Sequence, residues 1–449
     1  MNTPICDFVR RYIESGTLRM HMPGHKGASL LGFEAYDLTE IGGADSLYEA
    51  DGIIAESEKN ASVLFGAPTF YSTEGSSQCI RAMVYLLSLL AREQGRTPRI
   101  LAGRNAHKTF LSALALLDVD VAWLCPPEDA SYLSCPVDAA ALDRRLSEEG
   151  GVTAVYLTSP DYLGNTVDVA ALSEVCHRHG ALLAVDNAHG AYLKFLPESR
   201  HPMDLGADIC CDSAHKTLPT LTGGAYLHIA DNAPEVMREQ VRNALALFGS
   251  TSPSYLILQS LDATNRYLAE GYAARLASFV GAVRELRGRL THHGYTLCGN
   301  EPMKLTISAK PYGYTGEALA DILRDKGVEC EFCDPDFVVL MPSPETGAEG
   351  LATLECVLCS VPRRDAVCQT PPPFYLPEAV TSPREAMLGA CETLEVEKCE
   401  GRILAAATVG CPPAVPIAVS GERLDAETLR RFAYYGIKTC AVCVKVNAF

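Results

Sequence analysis

Between residues 78 and 229 the chain switches repeatedly between short apolar runs and stretches with apolar residues at helical spacing. The two patterns can be told apart because side chains repeat every second residue in a strand and about every 3.6 residues in a helix. The apolar runs predict strands at 99–102, 119–124, 152–157, 181–185, 207–211 and 224–229. The periodic stretches predict helices at 78–90, 107–117 and 169–178. This alternation predicts an α/β fold with a mostly parallel central sheet.

The predicted secondary structure changes near residue 290. A long pattern rich in Arg, Ala and Leu predicts one helix over 263–290, and shorter strands broken by Pro and Gly follow it. A chain of 449 residues is long enough for about two or three domains. We predict an N-terminal arm that serves as an interface segment at 1–50, a major domain at 51–290 and a smaller C-terminal α/β domain at 291–449.

Composition and charge narrow the possible partners. The formal net charge of -17 argues against nucleic acid or an anionic membrane surface as a partner. The N-terminus is charged and lacks the apolar core of a signal peptide, and the longest apolar stretch, 82–91, is too short to cross a bilayer. We therefore expect a soluble, cytoplasmic protein.

The 18 cysteines could hold metal or undergo redox chemistry, since three pairs have CxxC spacing: Cys330/Cys333, Cys356/Cys359 and Cys440/Cys443. Two of these pairs lie in apolar runs without the glycines that are usual in zinc knuckles. Free cysteine is also a good small core residue. We therefore favour free core thiols in a reducing compartment and predict no metal site.

The strongest local signal is a lysine that directly follows the predicted strand 207–211. Lys216 lies in the segment Asp-Ser-Ala-His-Lys-Thr-Leu, so Ser213 and His215 are close to it along the chain. Partial desolvation lowers the pKa of a lysine and frees its amine for Schiff-base chemistry. The serine and histidine could donate hydrogen bonds to a phosphate. A solvated lysine on a loop is an equally good explanation of this motif taken alone.

A second signal follows the predicted strand 181–185. Asp186 comes directly after this strand, and His189 lies three residues further on. In enzymes that use pyridoxal phosphate (PLP), an aspartate in this place pairs with the ring nitrogen and makes the ring an electron sink. An aspartate at a strand end can also simply cap a turn. The two strand-end motifs lie one crossover apart, which suits neighbouring or near-neighbouring strands.

Two further segments complete a set of cofactor contacts. Gly75, Ser76 and Ser77 precede a predicted helix, and a helix N-terminus with small hydroxyl residues binds anions. An ordinary N-cap serine is the alternative. His107 follows the strand 99–102 and could stack on a flat ring, although a helix cap is the commoner role. Together with Lys216, these residues provide the contacts that PLP needs.

The sequence resembles the fold-type I ornithine/lysine/arginine decarboxylases, in their short form without an N-terminal wing domain, over nearly its whole length. The resemblance rests on MHMPGHKG at 20–27, DLTE at 37–40, GADSL at 43–47, SAHKT at 213–217, TSPSY at 251–255 and GRI at 401–403. Two segments depart from the family pattern. Residues 73–77 read Thr-Glu-Gly-Ser-Ser instead of a form with Gly-Thr-Thr or Ser-Thr, and residues 410–416 replace a usual Tyr-Pro-Pro-Gly-Ile-Pro.

The resemblance implies an aspartate-aminotransferase-like fold with PLP as cofactor, and a homodimer or assembly of dimers with sites at the subunit interface. It implies Lys216 as the Schiff-base lysine, Asp186 opposite the pyridine nitrogen and His107 stacked on the ring. The remaining implied contacts are His189 against the ring, Gly75, Ser76, Ser77, Ser213 and His215 around the phosphate, and His25 and Lys26 near the subunit interface.

The implied reaction is the decarboxylation of arginine, lysine or ornithine to agmatine, cadaverine or putrescine, as in polyamine biosynthesis. The substrate is thus a small basic amino acid, and the sequence does not choose among the three. Glu40 and Asp45 are candidates to bind its side chain, and Lys216 and His189 are candidates to return a proton to Cα.

Two alternatives stay open. One is another fold-type I reaction, aminotransferase or lyase. In an aminotransferase, Arg402 or Arg384 would hold the substrate carboxylate. The other is a PLP-binding protein without turnover.

Overall fold

The computed structural model describes residues 1–406 and 413–444. The helices of this part of the chain are α1 Pro4–Glu14, α2 Ile53–Phe65, α3 Gly75–Glu93, α4 Lys108–Leu117, α5 Ala139–Glu149, α6 Val169–Arg178, α7 Ala214–Thr217, α8 Glu235–Glu239, α9 Val241–Phe248, α10 Tyr255–Ala269, α11 Tyr272–His293, α12 Gly316–Asp325, α13 Gly347–Cys359, α14 Pro383–Leu388 and α15 Ala426–Tyr434. The strands are β1 Thr69–Ser72, β2 Arg99–Gly103, β3 Asp120–Leu124, β4 Ala154–Thr158, β5 Leu182–Asp186, β6 Ile209–Asp212, β7 Ala225–Ile229, β8 Thr296–Cys298, β9 Leu305–Ser308, β10 Phe332–Cys333, β11 Phe337–Leu340, β12 Cys391–Glu395, β13 Leu404–Ala406 and β14 Thr439–Cys443.

The largest sheet has seven strands in the order β1-β7-β6-β5-β4-β2-β3. Its pairs β2/β3 and β5/β6 are parallel, whereas β7 runs antiparallel to both β6 and β1. All residues of β6 and β7 are buried, which agrees with the near-continuous apolar runs that central strands of covered sheets show. The predicted α/β fold with a mostly parallel central sheet is confirmed.

The predicted strands of this sheet agree with the structure to within two residues at each end. The predicted helix 169–178 is α6, and the predicted helix 107–117 is α4, which begins one residue later. The helix predicted at 78–90 is α3, which begins three residues earlier at Gly75.

The chain divides into two compact units. The first comprises Met1–Pro98, Thr153–Val155 and Val169–Leu276, and the second comprises Arg99–Val152, Tyr156–Asp168 and the chain from Ala277 onward. The second unit also holds two smaller antiparallel sheets, with strand orders β10-β11-β9-β8 and β12-β14-β13. The predicted boundaries at residues 50 and 290 remain predictions.

The single long helix predicted over 263–290 is wrong, because the chain forms two helices there. α10 ends at Ala269 and α11 begins at Tyr272, with Gly271 between them at φ +79°. A positive φ is cheap only for glycine and cannot continue a right-handed helix. The apolar spacing continues across the break, and this is why the pattern alone did not reveal it.

The cysteines follow the prediction only in part. No disulfide occurs among the cysteines of the described residues. Cys440 is buried. Cys443, Cys330 and Cys333 are all half-buried. The expectation of core thiols is wrong for the pair on α13, Cys356 and Cys359, because both are exposed.

The segment 410–416, which departs from the family pattern, is only partly described. Residues 410–412 of that segment lie outside the described residues. Ala414 stands where the family pattern has glycine, and its φ of +56° lies in the left-handed region that glycine favours. Its carbonyl accepts a hydrogen bond from the backbone N–H of Lys108 at 2.8 Å. In the part of the chain that is described, no helix combines the length and apolar character needed to span a bilayer.

Candidate active site

The two strand-end motifs lie side by side. β5 and β6 are parallel neighbours, and their register pairs Asp186 with Cys211. The loop after β5 carries His189, and the loop after β6 carries Lys216. Ligands of parallel sheets bind at the carboxyl ends of the strands, and both loops leave the sheet at that edge.

Lys216 belongs to the single helical turn α7, directly after β6. Its side chain is half-buried, and Nζ lies 3.0 Å from Nε2 of His189. His189 is itself buried, with 6 % of its surface exposed. The amine is therefore held against an imidazole, and the alternative of a lysine free in solvent does not describe it.

Asp186 ends β5 and is buried. Its Oδ1 accepts a hydrogen bond from the backbone N–H of Ala188 at 3.2 Å, so it does support the turn, as the alternative proposed. The thiol of Cys211 lies 3.7 Å from the same oxygen. Burial, reinforced by the charge of Asp186, raises the pKa of this thiol well above its ordinary value. Cys211 therefore stays protonated and donates to the carboxylate.

A small cup forms where α3 begins. Gly75 has φ +68°, and its backbone N–H donates to the carbonyl of Gly223 at 2.7 Å. The hydroxyl of Ser213 donates to the hydroxyl of Ser76 at 2.8 Å. A Cβ atom at position 75 would point toward the His215 ring, because its ideal position lies 3.8 Å from Cε1 of that ring. The glycine leaves this space open.

The N-cap of α3 is Glu74, and no side chain caps the helix. The alternative in which Ser76 or Ser77 is the cap is therefore wrong, since both lie inside the first turn. The ring of His215 is oriented by the backbone, because its Nδ1 lies 2.9 Å from the carbonyl oxygen of Gly224. That carbonyl can only accept, so Nδ1 carries a proton. A second proton donated from Nε2 to an anion would make the ring an imidazolium.

His107 is the N-cap of α4 and accepts a hydrogen bond from the backbone N–H of Thr109 at Nδ1. The capping role is thus present, and stacking on a ring remains a prediction. Three residues earlier, Arg104 forms a buried ion pair with Glu422 at 2.9 Å. The two residues are 318 positions apart along the chain, and the sequence did not indicate that they are partners.

Sequence reasoning missed a buried polar group behind the two loops. Asp212 accepts hydrogen bonds from Nε2 of His201 at 3.0 Å and of His228 at 3.1 Å, and from Nδ2 of Asn187 at 2.6 Å. Asn187 and Asp212 were visible as polar neighbours of Asp186 and Ser213 along the chain. Nothing in the sequence linked the two histidines to them.

The residues suggested for the substrate side chain and the interface have local partners. The buried carboxylate of Asp45 accepts backbone N–H groups of Ser46, Asp51, Gly52, Ile54 and Ala55, which gives it a structural role at the start of α2. Glu40 is exposed and accepts a hydrogen bond from Thr39. His25 pairs with Asp37 at 3.2 Å, and Lys26 donates to the carbonyl of His21.

The fold is shared with solved structures of decarboxylases. The Francisella novicida lysine decarboxylase LdcF has a TM-score of 0.79 at 16 % identity, covering 98 % of this chain and 81 % of its own. The constitutive lysine decarboxylase of E. coli has a TM-score of 0.76 at 17 % identity, covering 99 % and 82 %. A Sphingomonas wittichii serine palmitoyltransferase is more distant, with a TM-score of 0.57 at 14 % identity, covering 80 % and 83 %. The chain therefore has the α/β fold of the fold-type I class.

Sequence comparison is more specific. The family model "Orn/Lys/Arg decarboxylase, major domain" matches residues 3–294, and the model for the C-terminal domain of the same family matches residues 364–439. The chain belongs to the Orn/Lys/Arg decarboxylase family. It is 28 % identical over 466 residues to an arginine decarboxylase of Halalkalibacterium halodurans, covering 95 % of this chain and 92 % of that one. It is 27 % identical over 459 residues to the uncharacterised protein YaaO of Bacillus subtilis, covering 96 % and 94 %.

Proposed function

We propose that this protein is a PLP-dependent enzyme that decarboxylates a basic amino acid. The observation that carries the proposal is the amine of Lys216, held 3.0 Å from His189 on the loop next to Asp186, in a chain of this family. An amine, an imidazole and a buried carboxylate at one sheet edge are the groups that this chemistry requires.

The residues present fit the cofactor. The hydroxyls of Ser76 and Ser213 meet at the N-terminus of the 19-residue helix α3, where free backbone amides and the helix dipole favour a phosphate. A Cβ at position 75 would extend into this cup, toward His215. Ser76, Ser77, Ser213 and His215 would hold the phosphate, and Asp186 would pair with the ring nitrogen.

When bound, PLP supplies an electron sink for the electrons of the broken bond between Cα and the carboxylate. Lys216 supplies the amine that attaches the cofactor. His189 accepts a proton from this amine when the amine must be nucleophilic, and returns it when the amine leaves. Asp186 keeps a negative charge beside the ring nitrogen, which favours the protonated ring.

The proton that Cα needs after carbon dioxide leaves comes from the same pair. Lys216 Nζ and His189 Nε2 lie within hydrogen-bond distance, so a proton on either atom is available to the other. We assign the donor role to the pair, with the lysine as the group in contact with Cα.

We propose arginine as the substrate, with agmatine as the product. Relatives named arginine decarboxylase from Halalkalibacterium halodurans and Bacillus subtilis match about 95 % of this chain. Assays of carbon dioxide and amine release from arginine, lysine and ornithine will test the choice. Faster release from lysine than from arginine, at equal substrate concentration, would contradict it.

The decisive test of the reaction uses Lys216→Ala with Lys59→Ala as the matched control, because Lys59 is an exposed lysine on α2. We expect Lys216→Ala to lose the visible absorbance of covalently bound PLP and all carbon dioxide release, and the control to keep both. A wild-type protein that binds PLP and forms keto acid without carbon dioxide would establish an aminotransferase instead. Bound PLP without turnover of any amino acid would establish a binding protein.

The aminotransferase alternative depends on a carboxylate-binding arginine. Arg384 donates to the carbonyls of Ala115 and Leu116 at the end of α4, and Arg402 donates to Glu392 and to the carbonyl of Cys443. Both guanidinium groups therefore already have partners, and this favours decarboxylation.

We further propose that the protein is a cytoplasmic homodimer or an assembly of dimers. The segment 18–36 exposes large apolar side chains: Leu18, Met20, Met22, Leu30 and Leu31 are each at least 67 % exposed. Such a patch is costly in water and fits a second copy of the chain. Sedimentation of the wild type and of Leu30→Ser/Leu31→Ser will test this, since a monomeric wild type would contradict it. A cytoplasmic location agrees with the absence of disulfides among the described cysteines.

A further inference from the structure

The carboxylate of Asp212 lies in the first unit and is bonded to three buried side chains. We refer to Asp212, Asn187, His201 and His228 as the Asp212 centre. The four side chains are fully buried, and three donors meet the two carboxylate oxygens. Burial opposes ionisation, but the two histidines hold the pKa of Asp212 below its ordinary value. The carboxylate is therefore charged at neutral pH.

The proton positions in the centre follow from its outer contacts. Nδ1 of His201 accepts the backbone N–H of Met203 at 3.4 Å, so its proton lies on Nε2 and points at Asp212. Nδ1 of His228 lies 2.9 Å from the hydroxyl oxygen of Thr69. Burial lowers the pKa of His228, and a proton on its Nε2 points at Asp212, because a carboxylate can only accept. The centre thus surrounds the Asp212 carboxylate with three N–H donors.

The centre joins the bases of the two loops that carry the candidate active site. Asn187 directly follows Asp186, and Asp212 lies four residues before Lys216. The amide of Asn187 donates to Asp212 at 2.6 Å, while at the tips of the same loops Lys216 meets His189 at 3.0 Å. The loops are therefore tied at two points, one in the buried Asp212 centre and the other at the reacting amine.

We propose that Asp212 is a positioning residue that, through Asn187, sets where Asp186 and His189 lie relative to the amine of Lys216. The inference rests on the proposed function and extends it to residues that do not touch the cofactor. Its physical basis is that groups behind a reacting residue hold it in its productive geometry. A charged acceptor matters here, because a neutral amide at position 212 would turn an NH₂ group toward one of its three donors.

The Asp212 centre, together with the neighbouring Cys210, also has the donor types of a metal site. Ligand atoms of His201, Cys210, Asp212 and His228 lie within 4.8 Å of one another. Zinc binds deprotonated cysteine and the free nitrogen of histidine. Burial raises the pKa of the Cys210 thiol well above its ordinary value, and both Nε2 atoms already point protons at the carboxylate. The hydrogen-bonded centre therefore accounts for the geometry without a metal.

The first experiment compares Asp212→Asn with Tyr226→Phe in the PLP-loaded protein. Tyr226 pairs with Asp212 across β6 and β7, is fully buried, and its hydroxyl has no hydrogen-bond partner among the described residues. We expect Asp212→Asn to shift the pH midpoint of the visible PLP absorbance, to weaken PLP binding about tenfold and to lower kcat about tenfold with little change in KM. Tyr226→Phe should match the wild type.

The second experiment tests the donors. His201→Gln keeps an N–H directed at Asp212, whereas His201→Leu removes it, so only the leucine variant should shift the pH midpoint. If Asp212→Asn does not fold, the comparison of His201→Gln with His201→Leu tests the positioning role of Asp212. Wild-type midpoints in Asp212→Asn, or equal midpoints in the two His201 variants, would overturn the proposal. One zinc ion per chain in the purified wild type, measured by elemental analysis, would also overturn it.

The absorbance midpoint is measured without substrate, so the two proposals can fail separately. A wild type that binds PLP but releases no carbon dioxide would end the proposed function. Its midpoint, and that of Asp212→Asn, would still report whether Asp212 positions the lysine.

Discussion

Asp334 offers a test of how burial controls ionisation in the second unit. It follows β10, and its Oδ1 accepts the backbone N–H groups of Asp336 and Phe337 at 2.8 and 2.7 Å. Its Oδ2 has no partner among the described residues, and the residue is 6 % exposed. Burial raises the pKa of this carboxyl to about 7, against the two backbone hydrogen bonds and with help from the charge of Asp336.

The sign of the effect on stability follows from proton binding. An unfolded aspartate titrates near its ordinary value of about 3.9, so between about pH 4 and pH 7 the folded state binds the extra proton. Stability therefore falls as pH rises through this window and is constant above it. Three pKa units at about 1.4 kcal/mol each give about 4 kcal/mol in total, of which about 2 to 3 kcal/mol is lost between about pH 5 and pH 8.

Asp334→Asn removes the titration while keeping the oxygen that accepts both backbone hydrogen bonds. Urea unfolding of variant and wild type across this pH range should show the stability of the variant rising relative to the wild type by about 2 kcal/mol or more. Asp365→Asn is the control, because Asp365 is an exposed aspartate of the same unit. Parallel stability curves for Asp334→Asn and the wild type would refute the assignment.

Two further predictions concern single side chains of the second unit. The hydrogen bond from Cys333 lowers the pKa of Cys330 to about 7. Iodoacetamide should therefore alkylate Cys330 several-fold faster than the exposed Cys368 near pH 7, and Cys333→Ser should remove this difference. Equal alkylation rates in the wild type would contradict this prediction. Glu422→Gln leaves the buried guanidinium of Arg104 without its charged partner. We therefore expect the free energy of unfolding, measured with urea, to fall by about 3 kcal/mol or more. A loss below about 1 kcal/mol would show that the pair is not buried in solution.

The elements that the sequence predicted well are those whose signal is local. Helix α6 agrees with the predicted 169–178 at both ends, and each predicted strand of the large sheet lies within two residues of its place. An apolar run bounded by loop residues contains all the information that such a strand needs. The break at Gly271 was missed because a glycine with positive φ leaves the apolar spacing on either side intact.

The candidate site was predictable only as far as its residues lie next to strand ends. Lys216 and Asp186 are such residues, and their loops do meet. His201 and His228 could not be found in the same way, because they approach Asp212 only through the pairing of β7 with β6 and the return of the chain before β6. Contacts of this kind leave no periodic trace in the sequence.

The contacts of the Asp212 centre have a consequence for the order of folding. The hydroxyl of Thr69 and the ring of His228 are separated by 159 residues along the chain, yet they touch. Closing a loop of that length has a large entropic cost that must be met before the contact can form. The reactive lysine should therefore reach its final geometry only after the remote β1 has joined β7, so that competence to capture the cofactor arises late, once the sheet is closed.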